Sequence, residues 1–167
     1  MAALEPPDIF YLNAAIGWLG LQNRVEARLE LERISPAKRE HPDVLEVDWV
    51  IHAEAKEWSE GLRVARLLVK KAPKRATGWL HQSYALRRAS EGGLEAAWDA
   101  LLLAVAKFPK EATIPYNLAC YACQLGRMDE AKAWFDRAVH VGGKKSIKEM
   151  ALADQDLLPL WPDILKL

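Results

Sequence analysis

Cysteine is scarce in this chain. Only two are present, Cys120 and Cys123; both fall on one predicted helix, so they supply no disulfide framework, and this usage suits a reducing compartment. An excess of charge of either sign is lacking as well. The 23 Lys and Arg residues cancel the 23 Asp and Glu, so no global field exists to hold a phosphate backbone and no nucleic-acid partner is expected. Long apolar runs are absent: the longest, Ala100 to Ala106, falls far below the roughly 20 residues of a membrane-spanning helix, so no membrane insertion is expected. The leading residues Met1-Ala2-Ala3-Leu4-Glu5-Pro6-Pro7 contain no basic segment followed by an apolar core. No secretory signal is therefore expected, and the expected compartment is the cytoplasm. Strand vocabulary is thin. There is no Gly-rich phosphate loop, no Gly-x-Ser-x-Gly elbow and no His-Glu-x-x-His, and carboxylates such as Glu26, Glu30 and Glu32 follow the wet side of a helix. The expectation is a protein without catalytic activity, cofactor or metal.

What is abundant is helix-forming sequence, rich in Ala, Leu, Glu, Lys and Arg. It is punctuated regularly. Pro42, Pro73 and Pro109, read as closing helical segments, recur at intervals of 31 and 36 residues. Gly61 precedes Pro73 by twelve residues, Ala97 precedes Pro109 by twelve, and Ala131 begins the next such helix. A period of roughly 34 residues built from helix pairs predicts a solenoid, whose units stack because none can bury its apolar face alone. The breakers place four units at about 8–42, 43–73, 74–109 and 110–141. Their helices run from about Asp8 to Leu21 and Arg24 to Ile34, Val44 to Lys56 and Ser59 to Ala72, Ala76 to Ala89 and Leu94 to Phe108, and Ala112 to Leu125 and Met128 to Val141. Ser59 can cap the second helix of its pair, and Gly126 suits a left-handed helix end. Residues 142–167 carry Ile147, Met150, Ala151, Leu157, Leu158, Leu160, Trp161, Ile164 and Leu165, an apolar content fit to cap the last open face.

With these residues in register, the chain resembles the tetratricopeptide repeat (TPR) family. That family places Trp-x2-Leu-Gly-x2-Tyr in its first helix and Ala-x3-Phe, then Pro, around its second. The fourth unit matches best, with Tyr116-Asn117-Leu118-Ala119, Leu125-Gly126, Ala131, Phe135 and Ala138. The first follows with Tyr11, Ala14, Ala15 and Trp18, then Ala27, Leu31 and Ile34. The third offers Trp79, Ser83 and Leu86, then Ala97, Leu101, Ala104 and Pro109, with two extra residues between its helices. The second departs from the pattern: Trp49 stands where a small residue is wanted and Asp48 where an apolar one is. The resemblance implies an all-α, right-handed α-solenoid of about four helix-turn-helix hairpins with a C-terminal helical cap. Small residues would let helices approach closely, at Ala15, Ser83 and Ala119 on first helices and at Ala27, Gly61, Ala97 and Ala131 on second ones.

The resemblance further implies a concave surface lined by the first helices, on which a protein or peptide partner would lie. The residues presented there would be Leu12, Ile16 and Leu19, then Glu46, Val50 and Glu54, then Leu80, Tyr84, Arg87 and Arg88, then Thr113, Tyr116, Asn117, Cys120, Cys123 and Gln124. Such a mixture suits an extended segment or helix whose apolar side chains enter pockets while an acidic group meets Arg87 or Arg88. The residues of the family's chaperone-tail clamp do not carry over, because Asn117 and Asn13 match its asparagine but its lysine and arginine do not follow. Cys120-Tyr121-Ala122-Cys123 falls mid-helix, whereas redox chemistry wants a helix start and zinc wants two further ligands. The pair reads as two small, partly apolar side chains of the groove. The function expected is that of a non-catalytic adaptor or scaffold. The competing expectation is a self-association module that forms homo-oligomers through the C-terminal segment or the ends of the stack.

Overall fold

In the computed structural model, which describes residues 3–167, the described residues form ten α-helices and no strand. Met1 and Ala2, part of the leading segment in which no secretory signal is expected, lie outside them. The chain divides into two compact units, residues 1–91 and 92–167. The break falls beside Gly92-Gly93, so the two helices paired by sequence as the third hairpin belong to different units.

The first unit holds α1 (Asp8–Gly20), α2 (Arg24–Glu32), α3 (Pro42–Glu54), α4 (Trp58–Lys71) and α5 (Ala76–Leu86). Helices α1 and α2 pair, as do α3 and α4, and α5 packs on α4. The first helices α1, α3 and α5 are also neighbours of one another in sequence order. One core cluster gathers Leu12, Ala15, Ala27, Leu31, Ile34, Val44 and Ile51. A second gathers Leu45, Trp49, Val64, Ala65 and Leu68. Gly78 lets α5 approach α4 closely, because a Cβ there would stand 3.2 Å from the Val69 backbone nitrogen and 3.2 Å from Leu68 Cγ.

Local chemistry sets the helix ends, not always as the sequence suggests. Pro42 does not close α2. Helix α2 ends at Glu32, a 3-10 turn covers Pro36–Lys38, and Pro42 opens α3, where its missing N–H leaves no donor unsatisfied. Asn23 caps α2 by accepting from the Glu26 amide at 3.2 Å. Ser59 is not a cap. Helix α4 already begins at Trp58, and the Ser59 hydroxyl donates instead to Glu91 Oε2 at 2.8 Å. The two ends of the first hairpin are tied by Asp8, whose carboxylate accepts from the Ser35 amide and hydroxyl at 2.8 Å. Those bonds, the amide's first, hold the Asp8 carboxyl below its ordinary range.

The second unit holds α6 (Leu94–Val105), α7 (Thr113–Gln124), α8 (Met128–Gly142), α9 (Lys144–Leu152), a 3-10 segment (Gln155–Leu160) and the short α10 (Trp161–Ile164). Gly126 sits between α7 and α8 at φ +74°, a left-handed conformation that glycine adopts without steric penalty. Helix α7 pairs with α8 and packs on α6, and the 3-10 segment lies against α7. Ala97, Ala119 and Ala131 are each 0% exposed. Substituting Ala131 with Phe is expected to overpack the α7–α8 hairpin and cost about 1–3 kcal/mol. An unchanged midpoint in a thermal melt would show that the hairpin register is misread.

Candidate functional site

The side chains expected to line the first-helix face separate into two sets. In the first unit, Leu12 does not line a surface: it is buried in the core with Ala15 and Ile51. Leu19 packs partly buried against that same core, and Ile16, one turn on from Leu12, is 50% exposed. On α3, Val50 lies half-buried beside Leu45 and Trp49, while Glu54 is exposed at the helix end. Glu46 accepts from the Thr77 hydroxyl at 2.7 Å and from Arg75 at 3.3 Å. On α5 Leu80 is partly buried and Tyr84 is 38% exposed, and Arg87 and Arg88, which follow directly on the helix end, are partly buried.

An aromatic and cationic cluster organises this face. Trp49 stacks on His81 with ring centroids 3.7 Å apart and planes within 6°, and meets Tyr84 edge-on at 6.0 Å. Trp58 meets Tyr84 at 5.9 Å. The Arg88 guanidinium lies 3.6 Å above the Tyr84 ring and 5.3 Å from that of Trp58, and its Nη1 donates to the Tyr84 carbonyl at 3.1 Å. A guanidinium stacked in this way is fixed in place and keeps further N–H donors to offer a ligand. Trp49 fits despite standing at a small-residue position because α4 presents Gly61 opposite, where an added Cβ would already touch Trp49 Nε1 at 3.7 Å. That indole N–H is buried with no hydrogen-bond partner. The small residue expected on the second helix is thus the one that gives the Trp49 ring its room.

Burial against Trp49 pushes the His81 imidazole down to about 4, with nearby Glu46 opposing the shift. The unfolded imidazole takes up its proton near pH 6.5, and the folded one resists until about pH 4. Stability therefore falls as pH drops from 6.5 towards 4 and this contribution is flat above 6.5. Urea midpoints measured across that window should fall more steeply for wild type than for His81→Phe, which keeps the stack without the proton. Parallel curves would refute the assignment.

In the second unit the face of α7 is already occupied. The Tyr116 hydroxyl donates to Asp154 Oδ2 at 3.0 Å, Cys120 Sγ donates to the same oxygen at 3.5 Å, and Gln124 Nε2 donates to the Asp156 carbonyl at 3.1 Å. Tyr116, Cys120 and Cys123 are buried, Asn117 is half-buried, and Gln124 remains exposed. Burial first, and the neighbouring Asp154 next, raise Cys120 well above the ordinary thiol range, and burial with Asp156 and Asp154 pushes Cys123 up to about 11. Both are held as thiols, the reverse of what redox chemistry or zinc ligation needs. Among the described residues no group of three His, Cys, Asp or Glu side chains could hold a metal ion. The C-terminal segment also reaches α8: Leu160, Asp163, Ile164 and Leu167 surround a cavity of about 200 Å³ with Lys132, Phe135 and Asp136, and Lys132 pairs with Asp163 at 2.8 Å. Trp161 Nε1 donates to the Ala151 carbonyl at 2.9 Å.

The occupation of α7 carried a signal in the sequence. From Ala112 to Gly126 no charged residue occurs, and a helix with no charged side is one covered on more than one face.

Comparison with known proteins places the fold. No family model matches the chain, and no curated protein matches it. Solved structures do. MamA 41-end from Desulfovibrio magneticus RS-1 superposes with a TM-score of 0.72 at 15% identity, over 98% of this chain and 96% of that one. TTC0263, a thermophilic TPR protein in Thermus thermophilus, superposes with a TM-score of 0.68 at 20% identity, over 95% of this chain and 90% of that one. The fold is thus an all-α solenoid of the tetratricopeptide type. Among the described residues no helix is long and apolar enough to cross a membrane.

Proposed function

We propose that this chain is a non-catalytic protein-interaction scaffold that binds an extended or helical segment of a partner protein on the face formed by α1, α3 and α5. The observation that carries the reading is the Trp58–Tyr84–Arg88 cluster. It sets an exposed aromatic ring on α5 and a stacked guanidinium just past its end, the residue types that anchor protein interfaces. Ile16, Leu19, Val50 and Leu80 supply apolar contact around it, and Glu54 and Arg87 polar contact. On α7, Tyr116, Cys120 and Gln124 serve the chain's own C-terminal segment, with Asn117 beside them.

The test is affinity capture from native cell extract with wild type and with the double variant Tyr84→Ala, Arg88→Glu, its folding checked by circular dichroism. A protein retained by wild type and lost by the folded variant supports the reading. Identical retention by both sinks it.

A second reading, self-association, draws on one observation. Phe10, Leu21, Val25 and Leu29 of the first hairpin are each about half or more exposed, and exposed apolar side chains are what association surfaces are made of. Light scattering after size exclusion decides it, a monomer at micromolar concentration being the adverse result.

A further inference from the structure

The chain contains, in its second unit, a worked example of a segment seated on a first helix. Asp154 brings a carboxylate to Tyr116 and Cys120. Leu157 and Leu160, three and six residues on, are buried, and Trp161 follows. The Asp154 carboxylate also accepts from the Asp156 amide at 3.0 Å, which fixes the turn that aims the leucines inward.

The same positions on α5 can be identified by aligning the two helices on their buried small residues, Ser83 and Ala119. Leu80 then corresponds to Tyr116, Tyr84 to Cys120, and Arg88, two residues past the end of α5, to Gln124. On α7 these three positions hold the segment through neutral donors. Beside α5 the position equivalent to Gln124 holds a cation, Arg88, two residues past the helix end. A carboxylate meeting a guanidinium gains a charge-assisted and often bidentate hydrogen bond, stronger than the neutral ones that suffice on α7.

We propose that the Leu80–Tyr84–Arg88 face takes a partner-protein segment of the same chemistry as residues 154–161: an acidic residue followed within about six positions by two aliphatic side chains and then an aromatic one. The inference rests on the groove reading above and narrows it to acidic, leucine-rich segments. The chain's own tail is not the occupant. Leu157, Leu160 and Ile164 are buried in the second unit, and that packing would be lost on transfer to another copy.

The test titrates the full chain into a labelled peptide with the sequence of residues 153–162 and reads fluorescence anisotropy. Saturable binding is expected. It should weaken by about tenfold or more with Arg88→Glu, and similarly when the peptide's two aspartates become asparagines, because each change removes a charge-assisted bond. It should be unchanged by Tyr116→Phe. Binding that instead ignores Arg88→Glu, depends on Tyr116 and raises the thiol reactivity of Cys120 would place the peptide on α7 in exchange for the tail, and would overturn the inference. So would absence of saturable binding. A random-peptide library panned in parallel separates this failure from failure of the groove reading. Peptides that need Tyr84 and Arg88 but contain no acidic residue would overturn the inference alone. No peptide dependent on those residues would overturn both.

Discussion

Trp49→Ala is expected to destabilise the first unit by about 3–5 kcal/mol, the range for deleting a large aromatic side chain from a core that cannot collapse around the loss. Collapse is blocked on both sides. Gly61 on α4 has no side chain to move into the space, and the His81 ring, stacked at 3.7 Å, is held by α5. The loss also removes the edge contact that orients Tyr84, so segment binding should weaken along with stability. Trp49→Phe is the informative companion: it keeps much of the ring and discards an indole N–H that is buried without a partner, so it should cost clearly less. Hydrogen exchange across residues 42–86 would read the effect in the unit concerned, avoiding a global two-state assumption for a chain with two units. A change below about 1 kcal/mol for Trp49→Ala would mean that the stack contributes little.

Leu157→Ala is the second large effect, about 2–5 kcal/mol against the C-terminal segment. Leu157 is 0% exposed, and it follows the Asp154 contact that closes over α7. The neighbouring Leu158 is 50% exposed, so Leu158→Ala serves as a control, expected to stay within about 0.5 kcal/mol. The two cysteines report the outcome directly. Both are buried while the segment is seated, and opening exposes them. Labelling of Cys120 and Cys123 by a maleimide should accelerate at least about tenfold in Leu157→Ala and hardly at all in Leu158→Ala, since local opening follows local stability. Equal rates in the two variants would show that the segment does not guard α7.

Much of the fold was legible because it rests on short-range rules. Gly126 read as a left-handed helix end and has φ +74°. Ala15, Ala27, Ala97, Ala119 and Ala131 read as close-approach positions, and each is fully buried. The misreadings were also local. Pro42 stops one helix in sequence logic but opens the next in the structure, since proline is tolerated in a first turn. Ser59 has capping chemistry, but α4 starts one residue before it and its hydroxyl finds Glu91.

What sequence could not supply was pairing across distance. Trp49 reads as a departure from the repeat because nothing in the local sequence says that Gly61, twelve residues on, faces it. The α7 residues looked like open groove because nothing local says that Asp154, more than thirty residues after Tyr116 and Cys120, will reach back to both. Leu12 likewise read as surface from its position on α1, although it packs in the core with Ile51 of α3.

We propose an open recognition face on α5 and its neighbours, whereas α7 is occupied by the chain's own C-terminal segment. Site-specific photo-crosslinking in cells tests it most directly, with a benzophenone amino acid placed at Tyr84 in one sample and at Gln124 in another. The expected result is an adduct between position 84 and a different protein, and an intrachain adduct from position 124. Partner adducts from 124 with none from 84, or adducts from 84 only to a second copy of the chain, would contradict it.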